Sequence, residues 1–131
     1  MNKELIKNWN SVVKAKDKVF ILGDFCINAP EEALEVIEQL NGRKFLVKGN
    51  HDRASWRYLE LGFEEVYSYP ILYAGKYILS HRPLDSCKYI NLHGHVHSDP
   101  NYKTWDRKSA CLSLERHNYT PVSLDEVENH F

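Results

Sequence analysis

Four short apolar runs in this sequence each stop at residues of a different kind. "KVFIL" (18–22) gives way to Gly23-Asp24, and "KFLVK" (44–48) to Gly49-Asn50-His51-Asp52. "KYILS" (76–80) stops at His81, and "INL" (90–92) at His93, Gly94, His95, Val96 and His97. Runs this short, rich in β-branched and aromatic side chains, read as strands buried on both faces. Strands of that kind alternating with helices belong in an α/β architecture. In open α/β sheets ligand sites collect at the carboxyl ends of strands, so the polar residues can converge although they lie far apart in the chain. Gly23, Gly49 and Gly94 let the backbone turn sharply and approach such a site closely.

The intervening segments carry helical periodicity. Residues 3–13 place Leu5, Ile6, Trp9, Val12 and Val13 on one face. Asn28 can cap a second helix with Pro30 just inside it, Ala33, Leu34, Ile37 and Leu40 forming its stripe and Asn41-Gly42 its stop. Residues 55–61 form a short helix closed by Gly62, and "VYSYPILY" and "KYILSH" flank Ala74-Gly75 as a hairpin. "KYINLHGH" and "ACLSLER" are the last two strands, and Ser123 with Glu126 fits a capping box opening a C-terminal helix. Without a repeat, low-complexity tract or linker, residues 1–131 read as one domain.

Charge narrows the partners. Seventeen Lys and Arg against 18 Asp and Glu give a net charge of -1, which carries no strong nucleic-acid signal and no pull toward an anionic membrane. No run approaches a membrane span or a signal peptide, so a cytoplasmic protein is expected. Cys26, Cys87 and Cys111 are odd in number and widely spaced, which suggests buried free thiols.

The histidines carry the chemistry. His93, His95 and His97 occupy alternate positions, and on a continuous strand that spacing would aim all three at one face. Burying Asp, Asn and His side chains together at strand ends without partners would cost a few kcal/mol each, and a metal ion supplies the compensation. His93 reads better as a satisfied histidine than as a ligand, and His117 and His130 as surface residues. Arg53 and Arg82 read as surface charge. Tyr69, Tyr102 and Trp105 could line a pocket, but ordinary packing is the favoured reading.

In their order, "GD" (23–24), "GNHD" (49–52), "SH" (80–81) and "GHVH" (94–97) resemble the signature of the calcineurin-like metallophosphoesterases, and the likeness spans nearly the whole chain. It extends to small bacterial and phage members through "ELIKNWNSVV", "FLVKGNHD" and "YTPVSLDEV". The resemblance implies a two-sheet β-sandwich flanked by helices with two divalent transition metals at the strand ends. Asp24 would bridge the metals, Asn50, His81 and His95 would complete one site, and His97 would serve the other. His51 would sit beside the substrate as the proton-transferring catalytic residue, with Asp52 orienting it. Such mixed carboxylate, amide and imidazole ligands suit manganese, iron, zinc or nickel. Two cations can acidify a bridging water for attack on a phosphomonoester or phosphodiester, so the implied substrate is a phosphorylated small molecule or a nucleotide-like one.

Members of that family open with a strand ending in Asp-x-His, and no Asp-x-His occurs in this sequence. The expectation is therefore an N-terminally truncated form with one impaired metal site, reduced stability and an exposed strand edge that invites self-association. A start codon upstream of Met1, a fragment that binds phosphate ligands through one metal, and a second chain supplying the strand all remain open. So does a non-catalytic metal site built from the same histidines.

Overall fold

The computed structural model describes residues 2–22, 30–48, 55–60, 62–84, 88–96, 99–118 and 120–131. Among them the order is α1 (Asn2–Val12), β1 (Lys18–Ile21), α2 (Pro30–Gln39), β2 (Arg43–Val47), α3 (Ser55–Glu60) and β3 (Glu65–Tyr67). Next come β4 (Ile71–Tyr73), β5 (Tyr77–Ser80), β6 (Ile90–His93), β7 (Ser109–Cys111), a 3-10 turn (Leu114–Arg116) and α4 (Leu124–His130).

β1, β2 and β3 form one parallel sheet, in which Phe20 is paired with Phe45 and Leu46 with Val66. The second sheet runs β4-β5-β6-β7, antiparallel at its first pair and parallel thereafter. Side-chain alternation sorts the first sheet's residues between two faces. Val19 and Ile21 join the helices in a core of Trp9, Val13 and Leu40, while Leu46 packs with Ile37, Tyr58 and Phe63. Phe20, Leu22, Val47 and Tyr67 face the other way, onto Tyr77, Leu79, Leu92 and Ala110 of the second sheet, with Val127 of α4. The result is the expected sandwich of two sheets with helices outside.

Several local expectations hold. Ser123 Oγ accepts from the Glu126 N–H at 3.2 Å. Tyr73 O accepts from the Lys76 N–H across Ala74 and Gly75, both at positive φ, which is the backbone of a type I′ hairpin turn. Cys111 is a buried free thiol; Cys26, Cys87, Asn28 and Arg53 lie outside the described residues.

Other expectations change. Val12 is 52% exposed instead of sitting on the apolar face of α1. The stretch 66–73 is not one strand: β3 pairs with β2 in the first sheet, β4 with β5 in the second, and residues 68–70 cross between them. Pro70, which has no N–H for a ladder, marks the break. "ACLSLER" stops as a strand at Cys111 and closes in a 3-10 turn. His117 is half-buried, its Nε2 donating to the Cys111 carbonyl at 2.9 Å, while the exposed His130 stacks on Trp105 at 3.6 Å. Among the described residues no helix is long and apolar enough to cross a membrane.

Candidate metal centre

His81 follows the last residue of β5, and His95 lies two residues past the end of β6. β5 and β6 are parallel neighbours with Ser80 opposite His93, so the two strands deliver both residues at their carboxyl ends. The Gly94 N–H donates to the His81 carbonyl at 2.9 Å and carries the pairing one step further.

Beyond Gly94 the strand geometry stops. His95 has φ +66°, and the Val96 N–H donates to Gly94 O at 2.8 Å, enclosing His95 in a three-residue turn. A turn of this hand around a non-glycine residue is rare and strained. It swings the His95 ring toward His81, with Nδ1 3.0 Å from His81 Nε2 and the rings edge to face at 4.8 Å. The alternate spacing of the histidines therefore does not place them on one face. His93 is still in the strand, buried at 2% exposure, and its Nδ1 donates to the Gly94 carbonyl at 3.0 Å. Burial pushes the His93 imidazole below its usual range, opposed by that bond and helped by the Arg116 charge. This is the satisfied histidine expected for position 93.

The other ring nitrogen of His81 identifies a residue that sequence reasoning missed. His81 Nδ1 donates to the Leu22 carbonyl at 2.9 Å, which ties the end of the first sheet to the end of the second. A backbone carbonyl leaves no mark in a side-chain pattern. Because that carbonyl can only accept, His81 Nδ1 carries a proton, and in the neutral ring Nε2 is the accepting nitrogen, the one that faces His95 Nδ1. This is the outer-shell arrangement that orients metal-binding histidines. Two imidazole nitrogens about 2.1 Å from one cation and at right angles would be about 3.0 Å apart. The separation of His81 Nε2 and His95 Nδ1 matches it, provided His95 carries its proton on Nε2. Nitrogen donors of this type fit manganese, iron, zinc or nickel.

Asp24, Asn50, His51, Asp52 and His97 lie outside the described residues. Among the described residues no three His, Cys, Asp or Glu side chains cluster, so His81 and His95 form a pair. The segment following the histidines is held by Arg116, whose guanidinium donates to the carbonyls of Asp99 and Tyr102 at 2.8 and 2.7 Å and to Thr104 Oγ1 at 3.3 Å.

The sequence model of the calcineurin-like phosphoesterases matches residues 2–127. An uncharacterized protein of Methanocaldococcus jannaschii, MJ1445, is 39% identical over 97% of this chain and 73% of its own length. The crystal structure of a protein of unknown function from Aquifex aeolicus, AQ665, superposes with a TM-score of 0.74 at 27% identity, covering 99% of this chain and 84% of that one.

Proposed function

The chain belongs to the calcineurin-like phosphoesterase family, and on that premise we propose that it is a hydrolase cleaving a phosphomonoester or phosphodiester with the help of divalent transition metals. The observation that carries the reading is the meeting of His95 Nδ1 and His81 Nε2, with His81 fixed through its far nitrogen to Leu22 O. A strained turn at His95 is the conformation that brings the two nitrogens together, and strain of this kind gathers at functional sites.

In this reading His81 and His95 hold one metal with Asn50 and Asp24, and Asp24 and His97 hold a second. Cations bound there supply Lewis acidity toward water and the phosphoryl oxygens. His51 then donates a proton to the departing oxygen or a hydrogen bond to the phosphate, and Asp52 keeps its ring in register. Leu22 O holds His81 in the tautomer whose accepting nitrogen, Nε2, faces His95. The buried free thiol of Cys111 supports a cytoplasmic setting.

The test is hydrolysis of bis(p-nitrophenyl) phosphate and p-nitrophenyl phosphate by the chain loaded in turn with manganese, iron, zinc and nickel. We expect turnover with at least one metal, reduced by about 100-fold or more in His51→Ala and in His81→Ala. Failure of every metal with both esters overturns the reading, as does undiminished turnover in His81→Ala.

A further inference from the structure

Beside His81 lies an open hollow of about 320 Å³. That is the lower end of the range for small-molecule sites, roughly 300–1,000 Å³, and suits one small ligand rather than a polymer. Val47, Pro70 and Leu84 make much of its lining apolar.

Tyr69 stands at this hollow with 80% of its surface exposed, the most exposed of the large hydrophobic residues described. A ring so far into solvent adds little to the core, so packing does not account for an aromatic side chain here. Its backbone is nevertheless fixed: Tyr67 on one side is paired with Val47 in the first sheet, and Ile71 on the other with Leu79 in the second. Pro70 stiffens the same crossing. An amphipathic ring on an anchored base offers a flat face at small conformational cost.

Two cations line the same hollow. The N–H of Lys48 donates to Tyr67 O at 2.9 Å, and the carbonyl of Arg82 accepts from Ser80 Oγ at 2.7 Å, so both backbones are tethered. Among the described residues the ion pair is Arg43 with Glu64, and neither Lys48 nor Arg82 has a carboxylate partner. Two cations beside His81 suit an anionic ligand.

We propose that this hollow is the specificity pocket of the enzyme and that the substrate is a nucleoside phosphoester. The base stacks on Tyr69, and Lys48 and Arg82 hold the phosphate beside His81. The proposal rests on the phosphoesterase reading for the role of the site, but its geometry stands apart from any turnover. A net charge of -1 and two cations fall short of the basic track that follows a polynucleotide backbone, which assigns the pocket to a mononucleotide.

Titration calorimetry on the full chain tests it, with AMP, ribose 5-phosphate and a short single-stranded oligonucleotide as probes. AMP should bind about tenfold or more tighter than ribose 5-phosphate, the gain expected for one base stacked on an aromatic ring. Tyr69→Ala should erase that ratio and Tyr69→Trp should keep it, and since position 69 is exposed both variants should keep the fold by circular dichroism. Arg82→Gln should weaken AMP and ribose 5-phosphate alike. Equal binding of the two, a ratio that survives Tyr69→Ala, no binding of either, or preference for the oligonucleotide overturns the proposal. Hydrolysis of aryl esters without AMP preference leaves the phosphoesterase reading standing and removes the nucleotide; AMP preference without any hydrolysis does the reverse.

Discussion

Gly94 and Leu22 touch where the two sheets end: a Cβ on Gly94 would lie 2.9 Å from the Leu22 carbonyl oxygen. That oxygen also holds His81. Gly94→Ala must therefore push Leu22 away or open the sandwich at that end. We expect a loss of about 1–3 kcal/mol in urea unfolding, the usual cost of overpacking, together with manganese affinity lowered by at least tenfold in a titration. Native-like affinity in a folded Gly94→Ala chain would contradict the role given to Leu22.

His95 couples a strained backbone to a functional ring, and two substitutions separate them. Both His95→Gly and His95→Ala remove the ring and should abolish tight metal binding. Only glycine adopts φ +66° freely, so His95→Ala should be less stable than His95→Gly by about 1 kcal/mol. Chemical denaturation of the metal-free variants measures the difference, and equal midpoints would show that the turn relaxes.

Tyr77 is 1% exposed, and among the described residues its hydroxyl has no hydrogen-bond partner. An unpartnered buried hydroxyl costs about 1–3 kcal/mol, so Tyr77→Phe should raise the thermal midpoint with no change in metal affinity. A lower midpoint would mean that the hydroxyl has found a partner.

Lys44 is buried on β2 with its ammonium donating to the Gly42 carbonyl at 3.0 Å, and burial lowers its pKa from the ordinary 10.5. The unfolded chain then holds this proton more tightly than the folded one, so the burden of the buried charge is full below the folded value and fades as pH rises through it toward 10.5. Stability should accordingly gain with pH in that window relative to Lys44→Met, which lacks the group. Parallel stability curves for the two proteins would argue against it.

How much of this was written in the sequence varies from residue to residue. His81 was legible because an apolar run that stops at a polar residue marks both a strand and its end. Ser123 was legible because a cap acts within three residues. The stretch 66–73 looked continuous because β-propensity says that residues are extended but not which sheet receives them. Pro70 was the local sign of the break. The spacing of His93 and His95 misled for a related reason: alternation governs side chains only while the strand continues, and it ends at His93. Tyr69 looked like packing because exposure depends on what the rest of the chain leaves uncovered. Asp24, Asn50, His51, Asp52 and His97 stand on the motif they share with the family.

The bond from His81 to Leu22 joins residues 59 apart in the chain, whereas His81 and His95 are 14 apart. Closing the shorter loop can begin within the second sheet; closing the longer one requires both sheets to have docked. The bond from His81 to Leu22 is therefore a contact that exists only where the two sheets lie against each other, so the ring that faces His95 is set by the docking of the whole sandwich and not by its own strand.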